Sequence, residues 1–194
     1  PYIYQGEELG MTNPHFSRIT DYRDVESLNM FAELRASGRE PDELLAILAS
    51  KSRDNGRTPM QWDASHNAGF TEGEPWIGVC DNYETVNARA ALDDADSVFY
   101  TYQSLIRLRK TLPVLTWGDY EDLLPEHPSL WCYRRQWQGQ TLMVVANLSR
   151  ERQQWQPDPV QGAWRVALGN YDDVPSRPNA RLLRPFEAIW WVQE

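Results

Sequence analysis

Ser129-Leu130-Trp131-Cys132-Tyr133-Arg134-Arg135-Gln136-Trp137, the turn signal Gln138-Gly139, then Thr141-Leu142-Met143-Val144-Val145-Ala146-Asn147-Leu148: this run sets the organisation of the 194-residue chain. Its first part alternates, which places Trp131, Tyr133 and Trp137 on one face of a strand. Its second part is a strongly apolar strand. Ala163–Leu168 and Phe186–Val192 repeat the pattern, with turn signals between, so residues 113–194 read as an all-β antiparallel sandwich of at least four strands. Trp131, Trp164, Trp190 and Trp191 fall in apolar strands and are expected in its core.

Upstream of Leu112-Pro113 the period changes. Val25, Leu28, Phe31 and Leu34 recur every three residues from Asp24, and Gly38 stops that helix. Glu40-Pro41-Asp42-Glu43 starts a second helix through Leu44, Leu45, Ile47 and Leu48, its acidic first turn favoured by the macrodipole. A third runs from about Ser97 to Lys110, with Val98, Tyr102, Leu105 and Leu108 at helical spacing. Residues 52–96 are dominated by Gly, Asn, Asp and Pro, and an irregular stretch that long in a compact domain usually carries function. Pro1-Tyr2-Ile3-Tyr4 reads as a buried strand followed by the turn Gln5–Gly10. A strand opening directly at Pro1 has no partner before it, so the chain reads as a piece of a longer protein.

Composition excludes other classes. With 28 Asp plus Glu against 19 Lys plus Arg, the chain carries −9 and lacks the positive footprint of a nucleic-acid binder. Lys51 and Lys110 are the two lysines, so 17 of the 19 basic residues are Arg, the planar reader of carboxylates and phosphates. No apolar run approaches membrane-spanning length. Cys80 and Cys132 lie in different segments without a CxxC pair, which predicts two reduced thiols and a cytoplasmic protein. His15, His66 and His127 have no ligand-spaced partners, so neither metal nor cofactor is expected.

Two clusters could carry chemistry. Glu7 and Glu8 sit at the end of the first strand, where capping or pairing with a nearby Arg is the expected role. Ser52-Arg53-Asp54-Asn55-Gly56-Arg57-Thr58-Pro59-Met60-Gln61-Trp62 sets two Arg four residues apart around an Asp-Asn-Gly turn. A guanidinium held there could fork hydrogen bonds to vicinal sugar hydroxyls, or the run could be a salt-bridged loop that only shapes the domain.

These segments carry a resemblance. Pro1–Met11 resembles the eighth barrel strand and following turn of the alpha-glucosidases of the alpha-amylase superfamily. Asp21-Tyr22-Arg23-Asp24-Val25-Glu26-Ser27-Leu28-Asn29 resembles the helix start in their long eighth loop. Ser52–Trp62, continued by Asn67-Ala68-Gly69-Phe70-Thr71, is similar to the signature of the oligo-1,6-glucosidase branch. Leu130–Arg135 and Arg184–Trp191 are most similar to the members of that branch that hydrolyse trehalose 6-phosphate.

The resemblance implies an α+β piece: the last strand, long loop and helix of a (β/α)8 barrel in residues 1–112, then the β domain of residues 113–194. It implies retaining hydrolysis of trehalose 6-phosphate, with an isomaltose-type substrate or a carbohydrate-binding β module as alternatives. The family's three catalytic carboxylates precede the eighth strand, so no catalytic residue is assigned here. Arg57 matches the Arg that holds hydroxyls of the non-reducing glucose, and Glu26 the Glu that reaches the leaving-group sugar. Arg18, Arg23, Lys51 and Arg53 are the candidates for a phosphate contact. The expected partners are a small sugar and the N-terminal remainder of the barrel, with no nucleic acid and no membrane.

Overall fold

Helix α1 spans Val25–Ala36 because Asp24 ends the preceding loop as its N-cap, accepting the Ser27 N–H. Ser27 is the buried residue of α1. The predicted stripe Leu28, Phe31 and Leu34 is half-buried, and Val25 is exposed. Helix α2, Pro41–Lys51, starts with Pro41 in its first turn and buries Leu44 and Leu48. Turns of 3₁₀ type span Glu7–Leu9, Arg53–Gly56 and His66–Gly69. A short helix α3, Ala88–Asp93, interrupts the irregular stretch, capped by the Asn87 side chain. Helix α4 follows at Val98–Thr111 and α5 at Val114–Trp117.

The strands are β1 Asp119–Asp122, β2 Leu130–Trp137, β3 Gln140–Asn147, β4 Gln153–Trp155, β5 Trp164–Gly169, β6 Arg181–Leu183 and β7 Ala188–Gln193. A computed structural model describes residues 2–193. These residues divide into two compact units, one running to Tyr100 and one from Thr101, with the division inside α4.

The second unit is built on a five-stranded antiparallel sheet of order β1-β2-β3-β7-β5. Gln138 and Gly139, both at positive φ, make the two-residue turn that sets Trp137 opposite Gln140. The continuous apolar run of β3 has a simple cause: both sheet faces are covered. Met143 and Val145 join Leu130, Cys132, Ile189 and Trp191 on one face, where Trp155 and Leu183 of the separate β4-β6 ribbon complete the cluster. Leu142 and Val144 point the other way, onto Leu112, Val114 and Leu115.

Three expectations are corrected. Residues 2–4 belong to no sheet, and Tyr2, Ile3 and Tyr4 are exposed; they find no strand to pair with in the described chain, and Pro1 lies outside the described residues. Trp131 is exposed, not core. Edge strand β1 lies beside it, and its indole N–H donates to the Tyr120 hydroxyl at 3.1 Å. Trp164 and Trp190 are half-buried and pack against the two core clusters, and Trp191, stacked on Trp155, is fully buried. Strand β7 begins at Ala188, not Phe186: Phe186 has φ 55° and closes a turn.

Candidate functional site

The first unit gathers its polar side chains around Ser52–Trp62. Helix α2 stops at Ser52, whose hydroxyl accepts the Asp54 N–H at 3.2 Å and starts the 3₁₀ turn. That turn folds the Asp54 carboxylate inward, where it is inaccessible to solvent. A buried carboxylate must be matched by donors. Its Oδ2 takes the N–H groups of Arg23 at 2.6 Å and Asp24 at 2.8 Å. Its Oδ1 faces Arg57 Nη1 at 3.4 Å.

Asp24 is the second carboxylate of this cluster. It accepts Ser27 N–H at 3.0 Å and Ser27 Oγ at 2.9 Å, and the Ser27 and Ser52 hydroxyls meet at 2.9 Å. Burial opposes its ionisation, but the Ser27 hydrogen bonds and the Arg53 and Arg57 guanidinium charges outweigh burial and hold its carboxyl below the usual range. Arg57 Nη1 lies 3.6 Å from Asp24 Oδ1 as well, so two carboxylates share one end of this guanidinium. The Arg57 side chain is 41% exposed.

Glu26, in the first turn of α1, is joined by Arg53 Nη2 at 2.6 Å. The two predicted positioning residues, Arg57 and Glu26, therefore belong to one assembly in which Asp24, Glu26 and Ser27 at the start of α1 are each tied to the Ser52–Trp62 run. A cleft of about 190 Å³ opens beside it, bounded by Asp24, Glu26, Met30, Lys51 and Arg53. A second, of about 170 Å³, lies between the first turn and the same run, where the Tyr4 hydroxyl donates to the Gly56 carbonyl at 2.7 Å.

The other sequence candidates fall elsewhere. Glu8 accepts the Gly6 N–H and Glu7 faces the Tyr4 N–H, so both close their own turn. Arg18 pairs with Asp21 at 2.8 Å, and Arg23 spends its guanidinium on the carbonyls of Thr20, Tyr22 and Trp76. Lys51 stands at the cleft edge. Among the described residues no group of three or more His, Cys, Asp or Glu is placed to hold a metal. Sequence reasoning quoted Asp24, Ser27, Ser52 and Asp54 within their segments but gave them no role in the site. The readable signal was the Asp24-x-x-Ser27 capping pattern set against the Ser52-x-Asp54 turn.

Residues 1–118 match the family model described as alpha amylase, catalytic domain. Over all 194 residues the chain is 68% identical to a trehalose-6-phosphate hydrolase of Escherichia coli (strain K12), covering 35% of it. It is 44% identical to an oligo-1,6-glucosidase of Halalkalibacterium halodurans, over 97% of this chain and 34% of that one. Among solved structures, a trehalose-6-phosphate hydrolase of Bacillus licheniformis superposes with a TM-score of 0.94 at 44% identity, covering 99% of this chain and 35% of that one. A trehalulose synthase superposes with a TM-score of 0.92 at 36% identity, again over 99% and 35%. The chain thus spans about a third of the length of these relatives.

Proposed function

The chain belongs to the alpha-amylase family, and on that premise we propose that it is the C-terminal part of a retaining alpha-glucosidase that hydrolyses trehalose 6-phosphate to glucose and glucose 6-phosphate. In this reading residues 1–112 supply the long loop and last helix of a (β/α)8 barrel, and residues 2–4 pair as its last strand only beside the other strands of that barrel. Residues 113–194 form its C-terminal β-sandwich domain. Cys80 and Cys132, both buried and free, support a reducing, cytoplasmic setting.

The observation that carries the reading is the Arg57 guanidinium, held at one nitrogen by Asp54 and Asp24 on a side chain that is 41% exposed. An Arg anchored in this way presents a rigid fork of donors to the hydroxyls of the glucose being transferred. Rotational freedom of that sugar is removed before the bond breaks. Glu26 meets the sugar beyond the scissile bond. The chemistry itself is that of a retaining glycosidase: one carboxylate attacks the anomeric carbon, a second protonates the departing oxygen, and water then releases the glucosyl group. Both carboxylates come from the barrel residues that precede this chain. The present residues orient the substrate between them.

The test is the full-length enzyme assayed on trehalose 6-phosphate, trehalose and isomaltose, with Arg57→Ala beside it. The expected outcome is a clear preference for trehalose 6-phosphate and a fall in kcat/KM on the order of 100-fold in the variant. Preference for isomaltose would reassign the enzyme as an oligo-1,6-glucosidase of the same branch. Near-normal kinetics in Arg57→Ala would remove the glucose clamp.

A further inference from the structure

Asp54 binds Arg57, Ser52 and the two N–H groups ahead of α1, yet it faces no solvent. One oxygen holds Arg57 Nη1, and the other holds the two N–H groups that lead into α1, the helix that carries Glu26. A buried carboxylate with only backbone donors would be a structural staple. This one also bears on the exposed guanidinium, and the Ser52 hydroxyl that starts its turn is bound to Ser27 of α1. Moving the Asp54 carboxylate by an ångström would therefore shift both sugar-facing side chains at once.

We propose that Asp54 is a positioning residue of this site: its buried carboxylate fixes the Arg57 guanidinium and the start of the Glu26 helix as one rigid unit. The proposal rests on the reading of Arg57 as the glucose clamp. Asp54 does not contact the sugar in this assignment; it acts through Arg57. Asp24, farther from Nη1 and occupied by capping α1, is the secondary support. Both sides of the site then answer to one side chain, so substrate affinity and leaving-group orientation are set together.

The experiment is a double-mutant cycle in the full-length enzyme with trehalose 6-phosphate as substrate, with thermal unfolding followed in parallel. Asp54→Asn is expected to lower kcat/KM about 100-fold in the otherwise unchanged enzyme, the cost of a misplacement near 1 Å. When Arg57→Ala is already present, the same change is expected to cost about 10-fold less, because no guanidinium remains to be held and only the start of the Glu26 helix is still disturbed. A purely structural Asp54 would lower the unfolding temperature and cost the same in both backgrounds, and that outcome overturns the proposal. Unchanged kcat/KM in Asp54→Asn overturns it too. Asp54→Glu keeps the charge and carries the same expectation in both backgrounds, and it replaces Asp54→Asn should that variant not fold. A normal Arg57→Ala enzyme defeats the clamp itself, whereas a crippled Arg57→Ala enzyme beside a normal Asp54→Asn enzyme defeats only the role of Asp54.

Discussion

The two units use opposite means to hold their shape. Up to Tyr100 the buried interior is rich in polar groups: Asp24, Ser27, Ser52, Asp54, Thr58, Gln61 and Asn87 are all inaccessible or nearly so. From Thr101 onward, Asn147 and Glu187 are the buried polar residues among those described, set in a core of Leu, Val, Ile, Met and Trp. Hydrogen bonds are directional, and a polar interior fixes where each group points. Apolar burial is non-directional and supplies bulk stability. The unit that presents Arg57 and Glu26 is the one that needs direction. Under the proposed assignment of Arg57 and Glu26 to the sugar, the polar unit positions substrate and the apolar unit supplies stability.

The comparison breaks most sharply at Trp191. Its ring is fully buried, stacked on Trp155 with centroids 5.6 Å apart, and its N–H donates to the Pro175 carbonyl at 2.8 Å. Trp191→Ala removes one of the two fully buried indoles of this face and leaves a carbonyl without its donor. A loss of about 3–5 kcal/mol is expected in chemical denaturation of the full-length enzyme. A loss below about 1 kcal/mol would mean that the apolar core is not where the second unit stores its stability.

Glu187 is the exception within the apolar unit, and it sharpens the contrast. Its carboxylate is inaccessible, and it accepts the Arg184 N–H at 2.8 Å, the Arg184 guanidinium and Arg181 Nη2 at 2.8 Å. Arg184 in turn pairs with Asp173 and lies 3.8 Å above the Tyr171 ring. Burial raises the Glu187 pKa, but the Arg184 and Arg181 interactions outweigh burial and leave it below the usual glutamate range. A depressed carboxyl contributes stability that is present above its unfolded pKa, near 4.3, and is lost as pH falls toward the folded value. The second unit should thus weaken below about pH 4.3. Glu187→Gln should cost about 1–3 kcal/mol at neutral pH and flatten that acid slope. An acid profile unchanged by the substitution would show that other carboxylates set it.

Sequence made the apolar unit readable and the polar one opaque, for the same physical reason. Val144 and its neighbours announce β3 because burial writes itself as hydrophobic pattern. Strand β1, Asp119-Tyr120-Glu121-Asp122, carries no such pattern and is held at the edge by Arg134 on Glu121. Strands β4 and β6 have three residues each, too short for a period to show. In the first unit the α1 and α2 starts were legible from Asp24 and Pro41. The convergence of Asp24, Asp54 and Arg57 was not, since residues some thirty apart are joined by backbone N–H groups that no side-chain pattern records. Arg57 and Glu26 came from family likeness, and the contacts that hold them came from the coordinates. Residues 2–4 failed as a strand because a strand requires a partner and apolar composition alone does not provide one.

The smallest effect tests the comparison from the other side. Arg53 and Glu26 meet at 2.6 Å with their side chains 65% and 70% exposed. An ion pair so open to water is worth at most about 1 kcal/mol, and salt screens it further. Arg53→Ala should therefore leave the unfolding midpoint of the full-length enzyme almost unmoved. It releases Glu26 from its ion pair, and Glu26 is the residue proposed to reach the leaving-group sugar. The expected signature is a several-fold change in the ratio of kcat/KM between trehalose 6-phosphate and isomaltose, within the 1–3 kcal/mol range of pocket discrimination. The wild-type ratio should drift toward that of the variant as salt is raised, because screening loosens the same pair. A large stability loss in Arg53→Ala would overturn the division of labour, since the first unit would then depend on its surface charges for its fold. An unchanged ratio would leave the exposed pair without a part in selecting the leaving group, and would confine the directing role to the buried carboxylates.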